Sequence, residues 1–591
     1  MKKLFSFFAL MLAFAGSVNA QWISPGNGTT YTLDDLVEAS EGCVTFEPTS
    51  DSLAYYYVIH DDITISATDQ LYIDISEGTV STCLIFHEDG KSLTIKGSMV
   101  AIGRDVDLPL YISKEAYNHA QIRFENASDA SLFNKCIIRP LSGIDIIESD
   151  VTFESTYIEQ FDTYYQSSAV KFMNCDPVFR NSYFISNQGS AISSGANVTG
   201  SPQIYNCGFY DNVTANANQP QINLGPGADD TIRIVNCTIE GYGHDMSGGI
   251  AIADLMGTGE TKILLRNNSI RYNRYGYNQQ GYNLSSVIVD NRFVDNNLET
   301  NPNNGGSGIS IYGMNTNNKA KLRNNKISGN LWGITAIYYH DIDMGTEDDW
   351  GYNLIYNNGN GGTTYALYNN GYSDISAIGN YWGGDEAFAE SVIYHRPNLG
   401  ETYGLVTYLP LFNPTPCPIS LVATQEDNPQ FSTDYQGVID IENSRIDFFI
   451  PEDELSTLNI AMRLEIPHGS TTTFPSYGYI NLSEPFPFEI ETPIGDYQWW
   501  TIYLNSDWNA EENAQMTFNL FYDRSQNLIR LSNPMEDEAF VSVCNALGQT
   551  VYAGRLGAGQ QSIEANTLAK GLYIVNLSAG KRCYSQKLII D

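Results

Sequence analysis

Asn206-Cys207-Gly208-Phe209, Asn236-Cys237-Thr238-Ile239, Asn267-Asn268-Ser269-Ile270 and Asn324-Asn325-Lys326-Ile327 are four copies of one phrase. Asn181-Ser182-Tyr183-Phe184 and Asp290-Asn291-Arg292-Phe293 are two more. Each is Asn or Asp, two residues, then a large apolar side chain. Most copies follow an apolar residue such as Ile204, Ile234, Leu264 or Leu322, and a later Asn often comes after, as at Asn187, Asn212, Asn273, Asn296 and Asn330. The phrases start 25, 30, 31, 23 and 34 residues apart. A fixed phrase at such intervals is the mark of stacked repeats. Helical repeats need long 3.6-period segments with few breakers. Here short alternating strands, Thr231-Ile232-Arg233-Ile234-Val235 and Lys262-Ile263-Leu264-Leu265, are set between Gly- and Asn-rich turns. Three short strands and three turns, one coil of a β-solenoid, fill such an interval, with the excess as loops inserted on one face.

That geometry explains the Asn. Stacked coils repeat about every 4.8 Å. An Asn at a bend tolerates the left-handed conformation, and its amide can donate to the next Asn oxygen along the stack, satisfying polar groups that would otherwise be buried bare. Cys207 and Cys237 share one position in neighbouring phrases. A buried stack of small side chains is the expectation, and a disulfide between them also fits the spacing.

Working toward the N-terminus, the solenoid needs a cap, because its open end is an unpaired edge. Thr32-Leu33-Asp34-Asp35 is a capping-box pattern opening a short amphipathic helix over residues 33–39. Before it, Lys2 and Lys3, the apolar run of residues 4–15 and the small residues ending at Ala20 read as a secretory signal cleaved before Gln21. The run is shorter than the ~20 apolar residues a spanning helix needs.

Toward the C-terminus stands Ile378-Gly379-Asn380-Tyr381-Trp382-Gly383-Gly384-Asp385. This phrase resembles the turn near the last coils of many secreted right-handed parallel β-helix proteins of the pectin-lyase-like class. Leu71-Tyr72-Ile73-Asp74-Ile75, Leu93-Thr94-Ile95-Lys96-Gly97 and Ala101-Ile102-Gly103 are similar to their first coils. The resemblance covers residues 71–411 and implies the fold. It specifies function poorly, since the fold hosts lyases, hydrolases, adhesins and proteins without known activity.

Pro410, Pro414, Pro416 and Pro418 then read as a linker, and residues 419–522 alternate like the strands of a small Ig-like sandwich. The last segment carries Asn533-Pro534, Leu547-Gly548, Leu568-Ala569-Lys570-Gly571-Leu572-Tyr573 and a final Lys587-Leu588-Ile589-Ile590. Features of this kind in this order resemble the C-terminal sorting domain of the type IX secretion system. The resemblance implies handling by that machinery, translocation across the outer membrane of a diderm bacterium, removal of the segment, and release or attachment at the cell surface. The expected layout is therefore a signal peptide (1–20), an N-terminal cap with first strands (21–70), a β-helix (71–412), a linker and sandwich (413–522) and a sorting domain (523–591). The fold class is all-β.

Composition limits the partners. Asp and Glu total 68 against 31 Lys and Arg, a net charge of −37. Nucleic-acid binders need basic stripes, so a phosphate backbone is excluded. The nine Cys include no Cys-x-x-Cys pair, which excludes zinc-ribbon spacing. Two clusters could bind something. The first is Arg271, Tyr272, Arg274, Tyr275, Tyr277 and Tyr282. Exposed Tyr rings stack on sugar faces, and Arg bonds hydroxyls and uronate carboxylates. The same residues could instead be an inserted loop packed on the coil edge. The second is His340-Asp341-Ile342-Asp343 with Glu347-Asp348-Asp349. There Asp341, Asp343, Asp348 and Asp349 offer oxygens to Ca²⁺, or form a solvated acidic loop.

β-Helix hydrolases of the polygalacturonase kind carry an Asn-Thr-Asp, an Asp-Asp, a Gly-His-Gly and an Arg-Ile-Lys. The nearest pieces here, Asp229-Asp230 and Gly243-His244-Asp245, do not complete that set. A pectate-lyase-like pattern is also missing. The expectation is an exported protein that binds glycan or another surface polymer without catalysis. A polysaccharide lyase or hydrolase, and a purely structural or adhesive surface protein, are the alternatives.

Overall fold

The computed structural model describes residues 21–590 apart from 49–53, 106, 117, 129–130, 163–167, 258, 360–363, 477–478, 506–519, 525, 534–538, 546–549, 558, 567 and 580–581. The expected signal peptide, Pro534, the Leu547-Gly548 pair and most of the strand expected at 516–521 lie outside the described residues. The chain divides into one unit up to Asn413 and another from Pro414 on.

The first unit is a right-handed parallel β-helix. Through the body of the solenoid every third strand joins the same sheet, giving three sheets of 14, 14 and 13 strands whose pairings are parallel except where Val44–Pro48 opens the third sheet antiparallel to Ala54–Ile59. One coil runs Gly248–Asp254 in the first sheet, Thr261–Arg266 in the second and Ser269–Arg271 in the third, before Tyr277–Gly281 returns to the first. Registers hold residue to residue along the stack. In the first sheet Ile222 pairs with Ile250, Ile250 with Tyr277, Tyr277 with Ile309 and Ile309 with Ile334. Side chains alternate in and out, so the interior is columns of like residues. Phe133, Phe153 and Phe179 stack face to face at 5.0 and 5.1 Å, and Phe184 on Phe209 at 4.8 Å.

The repeated phrase is a three-residue strand of the third sheet held between two one-residue bends. In Asn267-Asn268-Ser269-Ile270-Arg271-Tyr272-Asn273, Asn267 (φ 54°) and Tyr272 (φ 55°) are left-handed bends. Ile270 points into the core, and Asn268 and Asn273 turn inward directly after each bend. The coil therefore carries two internal ladders. One runs Asn268, Asn291, Asn325, Asn353, Asn380, with amide-to-oxygen distances of 2.9, 3.1, 2.9 and 2.8 Å. Asn380 of the Asn-Tyr-Trp-Gly phrase is its final rung. The other runs Asn273, Asn296, Asn330, Asn358 at 3.2, 3.1 and 3.0 Å. Where one coil supplies no Asn, Gln221 bridges: Asn212 donates to its oxygen and its amide donates to Asn273. The phrase-opening Asn form a third ladder, but on the outside, with Asn236 donating to Asn206 and Asn267 to Asn236.

Cys207 and Cys237 stand two rungs and one rung before Asn268 in the first ladder. Both are free and buried, and the Cys207 backbone N–H reaches Cys237 Sγ at 3.5 Å. They are the stack of small side chains, and burial pushes the Cys207 thiol up, keeping it protonated and unreactive.

Thr32 caps the helix Leu33–Ala39 in a reciprocal capping box with Asp35, and buried Leu33 and Leu36 join the solenoid core. In the second unit, residues 420–505 form small sheets around Trp500, Phe448 and Phe488, with Trp500 Nε1 donating to Pro416 O at 2.9 Å. The C-terminal strands form antiparallel sheets of three and four strands. Tyr573 is buried there and its hydroxyl donates to Ala569 O at 2.7 Å.

Candidate functional site

The Arg- and Tyr-rich segment is a coil corner and a strand, and the structure disperses its side chains. Arg271 ends a third-sheet strand. Its guanidinium is bound to buried Glu240 at 2.5 and 2.6 Å, and Glu240 also accepts from the Tyr242 hydroxyl. Tyr272 lies beside them, its ring 5.3 Å under the Arg271 guanidinium and 6.1 Å from that of Tyr242. Arg274 donates to Asn304 O and Asn218 Oδ1, tying loops of neighbouring coils together. Tyr275 is half-buried over Gly248, where a Cβ would meet its ring. Tyr282 is half-buried against Gly257.

Tyr277 departs most from expectation. It is fully buried in the aliphatic column of the first sheet, its hydroxyl bonded to Gln279 at 3.1 Å. A ring inside the coil cannot meet a ligand outside it. The six residues therefore do not form one surface, because alternation along a strand sends neighbours to opposite faces.

The acidic cluster is dispersed as well. Asp343 and Asp349 converge on the Arg323 guanidinium at 2.7 and 2.9 Å, and Lys321 reaches Asp349 at 2.8 Å. These cations hold the Asp349 carboxyl down to about 2. Asp341 and Asp348 point to solvent. Arg323 and Lys321 thus balance Asp343 and Asp349 of the four, and the four carboxylates do not gather around one point.

What the fold does assemble is a field of aromatic rings on the first sheet's last four strands, Ser307–Gly313, Trp332–Tyr338, Leu367–Gly371 and Ile393–Tyr394, and on the segments flanking them, which carry Tyr339, Tyr365, Tyr372 and Tyr403. One group is Trp332, Tyr365, Tyr368 and Tyr394. Trp332 stacks on Tyr368 at 5.2 Å and Tyr365 on Tyr394 at 4.4 Å, and Trp332 Nε1 is fixed by Pro302 O at 2.8 Å. The other is Tyr312, Tyr338, Tyr339, Tyr372 and Tyr403. Tyr372 lies 6.3 Å from Tyr338, 5.2 Å from Tyr339 and 6.3 Å from Tyr403. Tyr338, Tyr339 and Tyr372 are exposed, at 44%, 43% and 48%. Ser310 and Asn370 are half-buried polar groups on the same strands. The register that pairs Thr335 with Tyr368 and Tyr368 with Tyr394 builds the first group. None of these rings was singled out from the sequence, because its partners lie a whole coil away. The available signal was aromatic recurrence at the coil interval, as at Tyr312, Tyr338, Tyr372 and Tyr403.

Beneath this face His340 is buried. Its Nε2 meets Asn369 Oδ1 at 3.1 Å and its Nδ1 has no partner. Burial pulls its pKa down to about 4.

Two family models match the chain. Residues 525–591 match the secretion system C-terminal sorting domain, and residues 231–386 match a family of proteins of unknown function, DUF1565. No curated protein matches. The chain is thus an exported β-helix protein, handled by the type IX secretion machinery and either secreted or attached to the cell surface. Among the described residues, no helix is long and apolar enough to cross a membrane.

Proposed function

We propose that this exported solenoid binds a polysaccharide along the ring-bearing face of its last coils, without turning it over. The supporting observation is the pair of ring groups gathered on four adjacent strands and the segments flanking them. Rings on a rigid sheet are preorganised, so a ligand meets them at little entropic cost. Their apolar faces suit the C–H faces of pyranose rings, and Ser310 and Asn370 beside them suit hydroxyls. The coil repeat of about 4.8 Å is close to the length of one sugar unit, which favours a chain lying along the stack. The ligand would be neutral rather than acidic. Arg271 and Arg274, the cations expected to hold uronates, are occupied by Glu240, Asn218 and Asn304.

The test is a panel of neutral and acidic polysaccharides, followed for binding and for new unsaturated or reducing ends. Retention of neutral chains without product supports the reading. Product formation would replace it with a lyase or hydrolase. Neither binding nor product would leave a structural or adhesive surface protein.

A further inference from the structure

At the other end of the solenoid, the first coils bring together two imidazoles and a carboxylate. His60 follows the third-sheet strand Ala54–Ile59, and His87 follows Ser81–Phe86. The two strands pair in register, with Ile59 opposite Phe86, so the two histidines fall side by side. Their rings lie 5.3 Å apart. One ligand atom from each of His60, His87 and Glu88 lies within 4.8 Å of the other two. Among the described residues this is the only set of three or more such groups so placed.

The surroundings orient both rings. His87 Nδ1 meets Glu115 Oε1 at 2.6 Å, which sets the proton on Nδ1 and turns the Nε2 lone pair toward Glu88, at 3.9 Å. Thr45 Oγ1 lies 2.8 Å from His60 Nε2, leaving the other nitrogen for a ligand. A carboxylate behind a histidine is the arrangement that fixes tautomer and raises basicity at metal sites.

We propose that His60, His87 and Glu88 form a site for a divalent transition metal of the zinc class. Two nitrogens and one carboxylate oxygen are the donor set of three-ligand zinc sites, with a fourth position left for water. Ligands at about 2.0–2.2 Å in a tetrahedron stand roughly 3.4 Å apart, so separations within 4.8 Å close by at most about 1.4 Å. Rotation of the exposed Glu88 side chain supplies that movement. The site joins neighbouring coils directly and, through Thr45 and Glu115, engages the Val44–Pro48 strand and the coil beyond. Bound metal would therefore pin the solenoid's first turns, where edge pairing is weakest.

The experiment is titration of the untagged full-length protein with zinc by calorimetry, repeated with cobalt(II) and read by visible absorption, with melting followed in parallel. The expected result is one equivalent bound, tetrahedral cobalt bands and a raised melting temperature. His87→Gln and Glu88→Gln should each abolish stoichiometric binding. Glu115→Gln, which touches no metal, should weaken it roughly 10–100-fold. Dichroism of each variant without metal separates loss of a ligand from loss of the fold. Failure of the wild type to bind an equivalent, or unchanged binding by folded His87→Gln and Glu88→Gln, would overturn the proposal. These outcomes are independent of polysaccharide binding at the opposite end.

Discussion

The indole of Trp332 and the phenol ring of Tyr368 are stacked, 5.2 Å between centroids and 29° between planes, although a full coil of chain separates them. Neither touches the other through local sequence. The parallel register of the first sheet sets Tyr368 over Thr335, beside Trp332.

This pair is the first target. Replacing Trp332 and Tyr368 together by Ala should weaken polysaccharide binding by about fivefold per ring, near 1 kcal/mol each. Melting should change little, because the rings lie outside the coil. Calorimetry against the best-bound polysaccharide measures this, and an unchanged affinity in the folded variant would remove the ring face from consideration.

Tyr277 and Tyr272 should behave oppositely despite their closeness in sequence. Tyr277→Ala empties a site in the buried first-sheet column and should cost about 3–5 kcal/mol of stability. Tyr272→Ala, at a half-exposed bend, should stay within about 1 kcal/mol. Denaturant unfolding of the two variants gives the comparison.

The ladder makes a sharper prediction. Asn296 accepts from Asn273 and donates to Asn330 and to Ile270 O. Asn296→Ala leaves those buried groups bare and should cost roughly 2–4 kcal/mol, more than its lost contacts alone. Asn236→Ala, in the exposed outer ladder, should cost far less. Equal losses would show that the internal rungs have no special role.

Acid should destabilise the last coils through His340. Its pKa is about 4 in the folded protein against an ordinary 6.5, so the unfolded chain binds a proton that the folded one refuses. Its contribution is fully present above pH 6.5 and is lost progressively as pH falls toward 4. Between about pH 7.5 and about pH 5 the loss should be near 2 kcal/mol. His340→Gln should flatten that part of the stability profile, measured by melting across pH.

Deleting residues 525–591 should retain the protein in the periplasm with its solenoid folded. Fractionation and surface proteolysis read this out, and normal export of the truncated chain would deny the segment its sorting role.

The β-helix was legible because its determinants are short-range. A left-handed bend, an inward rung and one apolar residue in a three-residue strand all fall within seven positions, so Asn267 to Asn273 announce a coil wherever they occur. The capping box of Thr32 and Asp35 is local in the same sense. The sorting domain was legible because its order of motifs at the chain end is specific. Even here locality misled: the phrase-opening Asn form the outer ladder, while the residues after each bend, Asn268 and Asn273 among them, form the buried ones.

The binding candidates are scattered for the complementary reason. Tyr272, Tyr275, Tyr277 and Tyr282 are close in sequence, but a bend and a two-residue alternation scatter them to the outside, the coil edge and the core. Asp343 and Asp349 look like ligands until the neighbouring strand brings Arg323 between them. Which rings face solvent together, and which charges are already paired, depends on register between coils. Register is set by the summed packing of inward columns and ladders over the whole stack, so coil-to-coil neighbours such as Trp332 and Tyr368, or His60 and His87, exist only once the chain has wound.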